Sequence, residues 1–241
     1  MEVFLLPEFM IDIHCHILHD IDDGPADLAG SLAMAHLAAA DGTRVLVATP
    51  HVTLNPPSSA LIAGRLAELN SAIAQAGIEL RVLAGGDNLY NLGAETLARY
   101  SINGGPYVLV EYPHTHLPAQ AGASLFDALS HGLTPIITHP ERNPSVVQDP
   151  QLLIDLVERG ALVQLTAESL TGGFGGSARS CARYLLKKGL VHFLASDGHS
   201  ADWRPPVLSA GVKAAAKLIG PEAARRLVVD NPARVIEGLD W

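Results

Sequence analysis

Residues 11–25 read Ile-Asp-Ile-His-Cys-His-Ile-Leu-His-Asp-Ile-Asp-Asp-Gly-Pro, an apolar run that turns abruptly polar. Residues two apart in an extended strand share a face, so His14 and His16 point into one place where that strand ends. Two converging imidazoles, with Asp20, Asp22 and Asp23 shortly after them, are donor types that hold divalent metal ions. Eleven histidines in 241 residues also produce His-x-His pairs by chance, and His114-Thr-His116 is a second copy. The weight therefore falls on what the other strands deliver at their ends.

The elements that would position such groups alternate along the chain. Asp27 to Ala40, Ser58 to Ala76, Gln120 to His131, Pro150 to Arg159 and Ala178 to Lys188 carry helical apolar spacing, each followed at once or within two residues by a glycine stop. Between and after them come short aliphatic runs: Arg44 to Thr49, Ile78 to Ala84, Tyr107 to Val110, Pro135 to Thr138, Ala161 to Leu165 and Val191 to Ala195. With the first run these make seven strands, and parallel strands joined by helical crossovers are their natural assembly. If they close into a barrel, all strand C-termini gather on one face, where active sites are built. The residues at those exits are His14 and His16, His51, Asp87, Glu111, His139, Asp197 and His199. Six of seven strands thus present a metal-type ligand at one rim, and the other leaves at Gln164 and Thr166. His19, His36, His131 and His192 lie off this pattern and read as ordinary surface or core residues. His114 and His116 lie beyond Glu111 and read as cleft lining.

Bulk properties narrow the classes. A chain that is 48% hydrophobic and 17% charged is globular, long enough for one α/β barrel domain, and without an apolar run of membrane-spanning length. A formal charge of −9 with no clustered Lys and Arg excludes a nucleic-acid surface. Cys15 and Cys181 make no disulfide framework and fit a reducing, cytoplasmic compartment. Neither has Arg six positions later, so no thiolate phosphatase loop exists. Residues 1–9 read as a peripheral extension, too short and too poor in basic residues for a secretory signal, with Met10 an alternative start.

At this point the chain resembles a known family, the PHP-superfamily phosphoesterases. The narrower resemblance is to the CpsB/YwqE-type bacterial protein-tyrosine phosphatases of capsule and exopolysaccharide operons. The blocks that carry it are Met-Ile-Asp-Ile-His-Cys-His (10–16), Asp-Ile-Asp-Asp-Gly-Pro (20–25), Ala-Thr-Pro-His (48–51) and Val-Glu-Tyr (110–112). Pro-Ile-Ile-Thr-His-Pro-Glu-Arg (135–142), Ala-Ser-Asp-Gly-His (195–199), Arg-Pro-Pro (204–206) and Asp-Asn-Pro (230–232) continue it nearly to the end. The resemblance implies a single-domain distorted (β/α)7 TIM-like barrel over 10–241 with three divalent ions, manganese first and iron or zinc as alternatives. It implies His14, His16 and Asp197 with a bridging acid on one ion, and Glu111 and His139 sharing that acid on a second. Asp23, His51 and His199 are implied on the third. The bridging acid is where this chain departs, with Asp87 where the family has Glu.

Arg142, three residues after His139, and Arg204, in the loop after Asp197, are implied as clamps that grip phosphate oxygens bidentately. Clustered divalent ions lower the pKa of bound water and neutralise phosphoryl charge, which allows hydrolysis without a phosphoenzyme. A phenol leaving group, of pKa about 10, asks little of a general acid, for which a metal-site residue such as His199 is the candidate. The implied reaction is metal-dependent hydrolysis of phosphotyrosine on a partner protein, typically the Tyr-rich tail of a cytoplasmic tyrosine kinase. Two alternatives stand beside it. One is a histidinol-phosphate-type small-molecule phosphatase on the same metals, and the other is a degenerate, inactive metal-binding scaffold. A carbon–nitrogen hydrolase with a carbamylated lysine is disfavoured, because Lys187, Lys188, Lys213 and Lys217 all fall on helices.

Overall fold

Aliphatic runs too short for helices, each preceded by a glycine-stopped helix, leave a backbone that satisfies its hydrogen bonds only by pairing in parallel. The computed structural model describes residues 6–241. Its strands are β1 (Met10–Cys15), β2 (Thr43–Ala48), β3 (His51–Val52), β4 (Arg81–Ala84), β5 (Asp87–Leu89), β6 (Tyr107–Glu111), β7 (Thr134–Thr138), β8 (Leu162–Thr166) and β9 (Phe193–Ala195). β3 prolongs β2 and β5 prolongs β4, so nine strands make seven staves. All strand pairings are parallel. A parallel bridge from Cys15 to Gly198 closes the first stave onto the last. This is the distorted (β/α)7 barrel that the resemblance implied.

The distortion has a local cause. Pro50 has no N–H to give a ladder, so the second stave breaks between Ala48 and His51. The pairing survives across the gap because the Asp87 amide donates to the Pro50 carbonyl at 3.0 Å. Opposite it, Gly85 and Gly86 break the third stave. A Cβ on Gly85 would lie 2.8 Å from Val47 Cγ1, and one on Gly86 2.7 Å from Val52 Cγ2, so neither position takes a side chain without displacement.

Inside the barrel, Ile11, Ile13, Val47, Leu83, Tyr107, Leu109, Ile136, Leu162, Phe193 and Ala195 form one apolar cluster. Strand alternation then places Glu111 above Leu109 and Gln164 above Leu162, on the same inward face. The alternating neighbours Val108, Val110, Ile137, Val163, Leu165 and Leu194 pack outward with the helices. Those helices include Leu28–Ala40, capped by Asp27, and Ser59–Gln75, capped by Ser58, together with Ala121–Ser130, Gln151–Glu158 and Gly175–Lys187. Helices at Ala94–Arg99, Pro144–Gln148, Ala167–Thr171 and Pro221–Arg226 are too short to announce themselves by apolar period. Ser209–Ile219 and Asp230–Glu237 complete the chain.

The N-terminal mouth of the barrel is shut. Ile102 and Val235 belong to the interior cluster, Tyr107 Oη donates to the Leu239 carbonyl at 2.6 Å, and Trp241 packs on Phe193 at 5.4 Å. Among the described residues this leaves the C-terminal rim of the barrel as the open end. Of the nine N-terminal residues, the first five lie outside the described residues, and Glu8 and Phe9 are exposed.

Candidate metal centre

β1 would turn His14 away from the barrel axis if its alternation were unbroken, because Ile11 and Ile13 already face inward. A register shift between Asp12 and Cys15 reverses the parity at that point. Asp12 secures the shift, its Oδ1 accepting from the amides of His14 at 3.3 Å and Ser196 at 3.0 Å. His14 and His16 then converge, with their Nε2 atoms 3.3 Å apart. His139 and Asp197 reach the same place from left-handed backbone, with φ of 36° and 53°. Such conformations cost about 1–3 kcal/mol each and persist where surrounding structure imposes them.

The structure brings together all nine residues that the resemblance assigned to metals. Asp197 Oδ1 lies 3.4 Å from His14 Nε2 and 3.6 Å from His16 Nε2. Asp23 Oδ1 lies 3.6 Å from His51 Nε2 and 3.4 Å from His199 Nε2. Glu111 Oε1 is 3.5 Å from His139 Nε2, and Glu111 Oε2 is 3.4 Å from His51 Nδ1. Asp87 Oδ2 lies between staves, 3.7 Å from His14 Nε2 and 3.6 Å from His51 Nδ1. Atoms that share one ion at about 2.1 Å stand about 3.0–3.4 Å apart at angles of 90–109°, so these separations are near those of common ligands. Among the described residues the donors fall into four groups, the ligand atoms of each lying within 4.8 Å of one another, and two of the groups share His16 and two share Glu111.

Electrostatics tests whether the donors fit a cation. Burial, together with the charges of Glu111 and Asp197, pushes the Asp87 carboxyl well above its usual range, and among the described residues neither of its buried oxygens has a hydrogen-bond partner. Such a group is costly to ionise unless positive charge lies beside it. Burial also holds His14 well below the imidazole range, and pushes His139 and His199 down to about 4, with Arg142 and His16 respectively adding to the effect. Neutral rings with free lone pairs beside an unpartnered buried carboxylate fit a divalent ion.

Partners outside the donor set fix the rings. Gln164 Oε1 lies 2.8 Å from His14 Nδ1, and the His199 Nδ1 faces the Asp197 carbonyl at 2.9 Å. Asp22 Oδ2 sits 2.8 Å from His16 Nδ1 and accepts the His51 amide at 2.9 Å. Burial raises the Asp22 carboxyl, but the hydrogen bond and charge of His16 outweigh it and hold the group near 2. These roles follow metal-site practice, in which the second ring nitrogen is held by an acceptor.

Arg142 and Arg204 meet at one atom. Arg142 Nη2 donates to Asp197 Oδ2 at 2.7 Å, and Arg204 donates to the same oxygen. Phe174 underlies both guanidiniums, 4.6 Å from the Arg142 carbon and 5.1 Å from that of Arg204. Sequence reasoning missed Phe174, whose signal is only an aromatic residue between Gly172-Gly173 and Gly175-Gly176. Cys15 faces away, donating to the Gly198 carbonyl at 3.4 Å with its thiol raised by burial, and burial pushes Cys181 to about 12. Neither is a thiolate nucleophile. His36, His116 and His131 are exposed, His19 is buried against Glu68, and His192 lies outside the rim. His114, expected to line the cleft, stands 3.3 Å from Glu111.

A closed parallel barrel with this rim is the architecture of the metal-dependent barrel hydrolases. More narrowly, the family model for capsular polysaccharide synthesis, CpsB/CapC, matches residues 10–237, and the chain belongs to that family. It is 39% identical over 203 residues to the tyrosine-protein phosphatase YwqE of Bacillus subtilis, covering 81% of this chain and 79% of that protein. To the tyrosine-protein phosphatase CpsB of Streptococcus pneumoniae it is 31% identical over 238 residues, covering 94% and 98%. A solved structure from work on YwqE and CpsB of those two species, described as unique metal-dependent tyrosine phosphatases, matches with a TM-score of 0.91. Its identity is 35%, with 96% of each chain covered.

Proposed function

We infer that this chain is a metal-dependent protein-tyrosine phosphatase, hydrolysing phosphotyrosine on a protein partner. The observation that supports it most is the convergence of imidazoles, of which burial holds His14, His139 and His199 neutral, and carboxylates beside two arginines that share one carboxylate oxygen. His14, His16, Asp197 and Asp87 would hold one ion, Glu111 and His139 a second, and Asp23, His51 and His199 a third, with manganese ahead of iron and zinc. Bound there, such ions supply Lewis acidity and a water of lowered pKa.

The chain's own groups do the rest. Arg142 and Arg204 bind the phosphoryl oxygens in place of Asp197 Oδ2, and the fork geometry orients the phosphorus over the carboxylate rim. Phe174 keeps both forks in register. His199, held down to about 4, is neutral at physiological pH and would act as a metal ligand instead of the candidate general acid, and a phenol of pKa about 10 leaves as phenolate with little need of protonation. With both thiols buried and protonated, no cysteinyl phosphate forms. The partner we propose is the autophosphorylated tail of a tyrosine kinase, met in the cytoplasm, for a chain whose family is that of capsular polysaccharide synthesis. No helix among the described residues is long and apolar enough to cross a membrane.

The test is hydrolysis of a phosphotyrosine peptide, a phosphoserine peptide and histidinol phosphate after chelation and after Mn²⁺ is restored. Activity confined to phosphotyrosine and recovered with metal is the expected result. Activity confined to histidinol phosphate overturns the substrate assignment, and activity indifferent to chelation overturns the metal assignment.

A further inference from the structure

Glu111 turns its two oxygens to different neighbours. Oε2 lies 3.4 Å from His51 Nδ1, on the side of Asp87, whereas Oε1 lies 3.5 Å from His139 Nε2 and 3.3 Å from His114 Nε2. His51, Asp87 and Glu111 form one group of donors within 4.8 Å of one another, and Glu111, His114 and His139 form another. The separations in the second group are near the 3.0–3.4 Å, roughly, expected of atoms sharing one ion. The His114 and His139 rings stack, with centroids 5.3 Å apart and planes 19° from parallel. Both therefore present Nε2 to the same carboxylate oxygen.

The turn that carries His114 is tied to the loop that carries His139. The Pro113 carbonyl accepts from Asn143 Nδ2 at 2.9 Å, and the Leu117 amide donates to Ser145 Oγ at 3.1 Å. An exposed histidine with one ion pair is the ordinary explanation of a ring that is 62% exposed. It does not account for a shared oxygen, a stacked ring and a turn anchored at both ends on the partner loop.

We propose that His114 Nε2 is a protein ligand of the divalent ion held at Glu111 and His139. Asp87, an aspartate whose Oδ2 faces His14 and His51, then belongs to the neighbouring positions, and the imidazole of His114 completes the Glu111–His139 site. The proposal rests on the metal-dependent reading above. It also gives the turn 113–117 a metal-linked role at the cleft mouth.

The test is Mn²⁺ binding to the full chain, read by electron paramagnetic resonance of free Mn²⁺, for wild type, His114→Ala and His139→Ala. The chelated protein is melted in parallel with the Mn²⁺-loaded one. The expected result is that His114→Ala melts like wild type when chelated, but binds one Mn²⁺ at least about ten-fold more weakly and gains less in melting temperature on loading. A His114→Ala isotherm and melting gain equal to wild type overturn the proposal while the metal-dependent reading stands. Absence of Mn²⁺ binding by wild type overturns both.

Discussion

Gln164 Oε1 stands 2.8 Å from His14 Nδ1, so the ring proton lies on Nδ1 and the Nε2 lone pair faces Asp197 and His16. The amide fixes both tautomer and ring plane of His14 without itself belonging to a donor group. Gln164→Leu keeps the volume and removes the acceptor. Its Mn²⁺ affinity is expected to fall about 10–100-fold, with Gln164→Glu restoring most of it. Equal affinity in the leucine variant, measured by metal titration, would remove Gln164 from the site.

Asp87 separates function from stability. Its carboxylate is buried, without hydrogen-bond partners among the described residues, and raised in pKa by burial and by the charges of Glu111 and Asp197. Asp87→Asn relieves that repulsion at constant size. The chelated variant is expected to melt a few degrees higher than chelated wild type, roughly the gain of one relieved strained site, while phosphatase activity falls by about two orders of magnitude or more. A chelated variant that melts lower would show that Asp87 holds the fold and not an ion.

Phe174 is a positioning residue for the arginines. Two cation–π contacts, each contributing about 0.5–2 kcal/mol, hold Arg142 and Arg204 over one ring. Phe174→Ala is expected to raise KM for a phosphotyrosine peptide about ten-fold, with a smaller loss in kcat. Phe174→Trp, which keeps an aromatic face, is expected to lie near wild type. An equal loss in both constants, unrescued by tryptophan, would assign Phe174 to folding alone.

Much of the rim was legible because strand exits are a one-dimensional signal. His51, Asp87, Glu111, His139, Asp197 and His199 each follow an apolar run, and parallel closure brings such positions together whatever lies between. The partners of these residues were not legible in the same way. Gln164 appeared only as the polar exit of the one strand without a ligand, because its role depends on pairing with a residue 150 positions away. Phe174 and the division of Glu111 between two donor groups depend on side-chain directions that spacing does not encode. The broken staves at Pro50 and Gly85-Gly86 read as strand ends, since only the neighbouring staves reveal that pairing resumes beyond them.

His192 sets a pH dependence away from the rim. Its Nδ1 accepts the Val163 amide at 3.0 Å, its carbonyl accepts from Asn231, and its ring meets Trp241 edge-on at 5.4 Å. Burial holds this imidazole down to about 4, against 6.5 for the unburied ring. Above pH 6.5 both folded and unfolded chains are mostly neutral at this residue. Between pH 6.5 and 4 the unfolded chain takes up a proton that the folded chain refuses, so stability falls as pH falls through that window. With the ring partly exposed, the loss attributable to it is about 1–2 kcal/mol. Asn at this position keeps an acceptor for the Val163 amide and does not titrate. Urea unfolding of the chelated protein at pH 7.5 and at pH 4.5 is expected to show a smaller decrease for His192→Asn than for wild type. Since the rim histidines titrate in both proteins, only the difference between the two decreases reports on His192, and equal decreases would show that its ring is not held neutral.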